Sequence, residues 1–180
     1  MTVVTIPTDQ VPEGMKSVHV GVTSFVATAL DELSALNSKR IFVVANNSSR
    51  KFLEGSDGDS EGSKLFINVL RDKGLLAAPL CTSIGMGGGE EGLLAAADAA
   101  YEADADVVVT VGGGAVQDAG KLIRLWLSTR QKGSGGEKAT VEGIQAAAKC
   151  DPMPPLPPQI AIPVCFNMCS KKLIEQRFTC

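Results

Sequence analysis

Five β-branched residues in a row, Val107, Val108, Val109, Thr110 and Val111, run without a spacer into Gly112, Gly113 and Gly114. No other feature restricts the fold of this chain so much. An unbroken β-branched run lacks the alternation of a strand with one wet face. It fits a strand covered on both faces, as in a parallel sheet. Residues 115–127 then carry apolar side chains at helical spacing, which predicts strand, tight turn and helix in succession. Glycines at such a turn leave the backbone bare, so that a ligand can approach it. The helix behind them offers unpaired N–H groups and the positive end of its dipole to an anion. A phosphate cradle is one reading and a tight connection without a ligand is the other; the glycines alone leave both open. The pattern is neither G-x-G-x-x-G nor G-x-x-x-x-G-K-[ST].

Around this stretch helices and strands alternate, which predicts an α/β fold with a mainly parallel sheet. Residues 24–36 have helical apolar spacing, and residues 40–45 read as a short buried strand. A polar turn of Asn46, Asn47, Ser48 and Ser49 follows, with a helix starting near residues 51–54. The Gly/Ser/Asp-rich run 54–63 reads as a solvated loop. Residues 63–74 form the next expected helix, stopped by Gly74, and residues 75–84 hold a short strand. The second glycine run, 85–89, precedes a helix at Glu90 instead of following a long buried strand. A loop and helix start is favoured there over a second phosphate site. Residues 131–137 read as a surface loop, and 140–149 as a helix with Thr140 as N-cap. The proline-rich run 151–158 reads as a stiff linker feeding a strand at 159–163 rather than as a polyproline ligand.

The full string GGGxxxDxxK, from Gly112 to Lys121, resembles the cofactor-binding motif of the iron-containing alcohol dehydrogenase superfamily. That superfamily includes glycerol dehydrogenases and maleylacetate reductases and is related to dehydroquinate synthase. The resemblance continues through SKRIFVVA (38–45), which is similar to the family's first Rossmann strand. EEGLLAAADAAYEADAD (90–106) is similar to the helix before the glycines, and QIAIP (159–163) to a later strand beside the cofactor. Together these cover roughly residues 15–163 in the family's order. The resemblance implies a Rossmann-like dinucleotide-binding domain over 1–163, as in dehydroquinate synthase-like proteins, with NAD or NADP as cofactor. It implies that Gly112, Gly113 and Gly114 bind the pyrophosphate and that Asp118 lies toward the nicotinamide and substrate end of the cleft. Asp118, the fourth residue after Gly114, is expected in the first turn of the helix, where an acidic residue also simply favours the dipole.

Cofactor preference is read at the end of the strand 40–45. An acidic residue at such a position binds the adenosine ribose and repels a 2′-phosphate. Here the strand ends in neutral Asn46 and Ser48, with Arg50 and Lys51 beyond. Amides and hydroxyls bond a hydroxyl or a phosphate, and the cations add attraction to the latter. NADPH is therefore expected to be accepted at least comparably to NADH, with Asn46 and Ser48 as the nearest contacts. The other reading is a polar turn whose side chains cap the next helix.

The chain has 180 residues, 44% hydrophobic and 21% charged, enough for one domain with a core. A net charge of −3 gives no sign of a nucleic-acid or acidic-membrane partner. Neither a signal peptide nor an apolar run of the roughly 20 residues a membrane helix needs is read, so a soluble cytoplasmic protein is expected. Five cysteines are expected to be free thiols; Cys165 and Cys169 alone cannot fill a tetrahedral zinc site. His19, the one histidine, lies on an expected edge strand and reads as a structural or surface residue. The family's helical second domain normally supplies an aspartate and three histidines to a divalent metal. With His19 as the one histidine, the second domain and its ligand set are expected to be absent and no metal site is expected from these residues. The maleylacetate reductase branch works without the metal, so reduction is not excluded.

After Pro163 the chain leaves the family pattern, and residues 164–180 form a divergent tail. Val164-Cys165-Phe166 can be encoded by GTATGTTTT, which contains a donor splice signal, and Leu173-Ile174 by a branch-point-like CTAAT. Intron read-through in a truncated product is the expectation, with a fixed frameshift as the alternative. Two function classes follow. One is an NAD(P)-dependent oxidoreductase exchanging hydride with a small alcohol or carbonyl substrate, with homo-oligomerisation open and with unaided activity of this short form in doubt. The other is a non-catalytic nucleotide-binding remnant, or a partner of a full-length relative.

Overall fold

The structure, a computed structural model, describes residues 4–6, 18–20, 25–54, 65–84, 89–129, 138–152 and 155–164. The chain divides into two compact units, Met1–Asn37 and Ser38–Cys180.

In the first unit, β1 (Val4–Ile6) and β2 (Val18–Val20) pair antiparallel, with Thr5 opposite His19. Helix α1 (Phe25–Ala35) buries Ala29 and Leu33, one helical turn apart. Beyond its end Asn37 adopts φ 54°, the left-handed conformation that terminates helices.

The second unit carries the parallel sheet. Its strands are β3 (Ile41–Ala45), β4 (Val107–Gly112) and β5 (Gln159–Pro163), in the order β3-β4-β5. Both neighbouring pairs are parallel. The expectation of a central, doubly covered strand at residues 107–111 holds: every residue of β4 is buried and a strand lies on each side. The segment 75–81 runs parallel along the other edge of β3, touching it only at Ile41↔Leu76 and Val44↔Cys81. The strand expected within 75–84 is thus reduced to two bridges. Exposed Pro79 lies between them, and a proline has no N–H to give to a ladder.

Between β3 and segment 75–81 lie a 3-10 turn (Asn47–Ser49), α2 (Arg50–Glu54) and α3 (Phe66–Asp72). Helix α3 ends as expected at Gly74, which has φ 66°. The N–H of Leu75 returns to Leu70 O at 2.9 Å and that of Gly74 to Arg71 O at 2.9 Å, the paired bonds of a Schellman stop. Next come α4 (Gly89–Glu102), then α5 (Gly114–Thr129) after β4, and α6 (Val141–Ala148) before β5. Thr140 caps α6 as expected, its Oγ1 accepting the Gly143 N–H at 3.0 Å.

One face of the sheet presents Phe42, Val44 and Val108 to a core built with Ala96, Ala97 and Ala100 of α4. Val116, Ala119, Ile123 and Trp126 of α5 and Ile144 and Ala147 of α6 complete it. The buried positions 116, 119, 120 and 123 form one stripe at helical spacing, which seats α5 on β4 and β5. Gly120 makes that seat possible, because a Cβ there would run into Thr110 Cγ2 and lie 2.7 Å from Gln159 Nε2. At the amino ends of the strands, Asp106 accepts the N–H groups of Lys39 (2.7 Å) and Arg40 (3.1 Å), clamping β3 level with β4.

The expected loops at 54–63 and 131–137 fall mostly or wholly outside the described residues. So do positions 85–88 of the second glycine run and residues 165–180, including Cys165 and Cys169. Among the described residues, Cys81 and Cys150 are free, and no helix is long and apolar enough to cross a membrane.

Candidate functional site

The strand order itself marks a place for a ligand. From β3 the chain crosses to segment 75–81 on one side; from β4 it crosses to β5 on the other. In open parallel sheets the connections part at such a switch point, leaving a crevice at the carboxyl ends of the two strands. Register pairs Ala45 with Val111 and sets both ends level. Asn46 and Gly112 therefore follow side by side on strands spaced about 4.8 Å apart. Two regions that are 66 positions apart, and that sequence reasoning named separately, meet here.

The three glycines have different reasons to be glycine. Gly112 sits at φ 157°, and a Cβ there would lie 2.9 Å from Val116 Cγ2, so the protein's own packing demands it. Gly113 and Gly114 have no such reason. Among the described residues, a Cβ at Gly113 would meet only Val164 O, at 4.0 Å, and one at Gly114 would meet nothing. Neither has a positive φ. Space that a side chain would fill stands open beside the backbone.

That backbone has hydrogen bonds to give. The α5 ladder begins with the N–H groups of Val116 (3.0 Å) and Gln117 (3.2 Å), both donating to Gly113 O. Among the described residues no carbonyl accepts the N–H groups of Gly113, Gly114 or Ala115, as expected for the first turn of a helix. No acidic side chain occupies that turn. Sixteen residues of aligned peptide dipoles stand behind it. The arrangement suits a phosphate or pyrophosphate. Helix α4 makes the contrast, with Glu90 and Glu91 in its first turn opposing an anion.

Asn46 is engaged locally. Its Oδ1 accepts the Ser49 N–H at 3.1 Å and the Ser49 hydroxyl at 2.5 Å, capping the 3-10 turn. This is the capping role weighed for it from sequence, and it leaves the Nδ2 donor for a ligand. Ser48 is exposed at the same strand end. Asp118 requires a correction. Helix α5 starts at Gly114, so Asp118 opens the second turn, beyond the reach of the first-turn dipole argument. Its side chain is 68% exposed and pairs with Lys121 Nζ at 2.8 Å. Among the described residues no group of three or more His, Cys, Asp or Glu lies together to hold a metal ion.

Sequence reasoning passed over a polar relay behind the glycines. Gln117 Nε2 donates to Gly112 O (3.0 Å) and Ile162 O (3.2 Å), while its Oε1 accepts the Thr110 hydroxyl at 2.5 Å. Gln159 Nε2 donates to Thr110 Oγ1 at 3.0 Å, and Arg124 Nη1 donates to Gln159 Oε1 at 3.3 Å. Arg124 Nε donates to Pro157 O. Burial pushes the Arg124 guanidinium below its ordinary pKa. The available signal was Gln117 itself, a polar residue between buried Val116 and the buried pair Ala119 and Gly120.

No protein-family model and no curated protein matches the chain. Among solved structures it is similar to 1,3-propanediol oxidoreductase, with 20% sequence identity and a TM-score of 0.49. The match covers 77% of this chain and 31% of that one.

Proposed function

We propose that the second unit binds NAD or NADP, with the pyrophosphate held by the N–H groups of Gly113, Gly114 and Ala115. On this reading the protein is an oxidoreductase of the iron-type alcohol dehydrogenase and maleylacetate reductase kind, acting on a small alcohol or carbonyl compound. One observation carries the nucleotide reading. Among the described residues, Gly113 and Gly114 leave open space over unbonded N–H groups at the switch point of a parallel sheet, and no packing contact calls for glycine at either position. The motif resemblance from Gly112 to Lys121 supports the choice of a dinucleotide over a simple phosphate.

When bound, the cofactor supplies the hydride chemistry. The chain's own residues bind and orient it. The glycine N–H groups neutralise the phosphates, and Asn46 Nδ2 and the Ser48 hydroxyl receive the adenosine ribose at the end of β3. Asp118, on the face of α5 one turn from Gly114, stands toward the reacting end. The described residues supply no ligand set for the family's metal, and no step is assigned to one.

A second reading, nucleotide binding without turnover, is favoured by Asp118 being exposed and tied to Lys121. Two measurements separate the possibilities. Calorimetric titration with NADH, NADPH and ADP is expected to give saturable binding of all three; failure of ADP to bind at millimolar concentration removes the cradle reading. Oxidation of NAD(P)H by an aldehyde, a ketone or maleylacetate then decides between enzyme and binding module.

A further inference from the structure

We infer that Gln117 is a positioning residue for the glycine cradle, locking the Gly112–Gly113 peptide so that its N–H faces the ligand; this rests on the nucleotide-binding reading above. A peptide group is planar and trans, so the direction of the Gly112 carbonyl fixes the opposite direction of the Gly113 N–H. A Gly-Gly peptide is the easiest of all to turn over, because neither residue has a Cβ to restrict it. Here the Gly112 carbonyl is held twice, by Val164 N–H at 3.0 Å and by Gln117 Nε2 at 3.0 Å. The second hydrogen of the same amide reaches Ile162 O at 3.2 Å, so one side chain ties β4 to β5 at the level of the glycines.

The relay behind Gln117 fixes which way round its amide sits. Arg124 can only donate, so the Gln159 oxygen must face it and the Gln159 nitrogen must face Thr110. Thr110 Oγ1, accepting from Gln159, has its own proton to give, and Gln117 Oε1 takes it at 2.5 Å. The Gln117 nitrogen is thereby left facing the two carbonyls. Reversing the amide would set Oε1 against the carbonyl oxygens of Gly112 and Ile162, which can only accept. The Thr110 hydroxyl also lies 3.5 Å from Ile160 O, and the much shorter 2.5 Å bond to Gln117 Oε1 is the one that continues the relay. Arg124, where the relay begins, lies about two helical turns along α5 from Gln117.

The test uses Gln117→Leu, which keeps the bulk and removes both the donor and the acceptor. Thr110→Val keeps the β-branched shape and cuts the relay, and carries the same test should Gln117→Leu fail to fold. ADP and adenosine are titrated into the wild type and both variants, with urea unfolding followed in parallel. The expected result is a fall of at least tenfold in ADP affinity with adenosine affinity unchanged, since only the phosphates meet the mis-aimed N–H. Variants that bind ADP like the wild type overturn the positioning role and leave the cradle standing. An equal loss of ADP and adenosine also overturns it, as a general structural defect. If the wild type binds no ADP, both readings fall together.

Discussion

Gly113 and Gly120 are both glycines at the β4–α5 unit, yet substituting them should have opposite consequences. At Gly113 the space for a Cβ is open, with Val164 O at 4.0 Å as the nearest atom, and the backbone φ suits any residue. Gly113→Val should therefore leave stability within about 1 kcal/mol, since the restricted unfolded chain offsets minor crowding. Binding should collapse. Displacing a phosphate from two N–H donors removes two charge-assisted bonds of about 1.5–3 kcal/mol each. Even the lower sum, about 3 kcal/mol, corresponds to roughly a 150-fold loss of affinity. At Gly120 a Cβ would collide with Thr110 Cγ2 and stand 2.7 Å from Gln159 Nε2. Gly120→Ala should cost about 1–3 kcal/mol of stability by overpacking. Calorimetric titration with ADP and urea midpoints for both variants give a two-by-two result. A Gly113→Val protein that binds ADP normally, or that unfolds like Gly120→Ala, would refute the division of these glycines into ligand-facing and packing roles.

Four further outcomes are expected. Asp106→Asn weakens the clamp on the Lys39 and Arg40 N–H groups, lowering stability by about 1–3 kcal/mol; ADP affinity should not change, because the clamp lies at the opposite end of the strands from the glycines. Asn46→Ala removes the cap on Ser49 and should cost about 1 kcal/mol in urea unfolding. In the wild type, NADPH should bind at least comparably to NADH at one salt concentration; a preference for NADH much beyond tenfold, about 1.4 kcal/mol, would mean that an acidic group reads the ribose. Asp118→Asn should leave the urea midpoint and ADP affinity unchanged, the pair with Lys121 being exposed, while NADH binding weakens if Asp118 stands at the nicotinamide end.

Much of this fold was legible because its signals are local. The run 107–111 could not be a one-faced strand, Gly74 could only stop a helix, and Thr140 stood where an N-cap belongs; β4, the Schellman turn and the α6 cap follow directly. The segment 75–81 was misjudged in degree, because a strand interrupted at Pro79 keeps its direction and loses its ladder. Asp118 was misplaced by a single residue of helix start, enough to move it out of the first turn. Gly120 carried a readable warning. A lone glycine inside a strong helical pattern disfavours the helix and so signals close packing, yet only the structure names Thr110 and Gln159 as what it makes room for.

The polar relay was illegible for a different reason. Arg124, Gln159, Thr110 and Gln117 span 49 positions, lie on three elements, and form no spacing that periodicity could detect. Their connection exists only because α5 sits close on β4 and β5, and α5 sits close only because residue 120 is glycine. One small residue thus serves the cradle twice over: it brings the helix down onto the sheet, and it lets a side chain of that helix reach the carbonyl whose opposite face is the Gly113 N–H. On the proposed reading the glycine triplet is where a ligand approaches, and the Gly112 carbonyl is held by Val164 and Gln117, residues that no reading of the triplet contains.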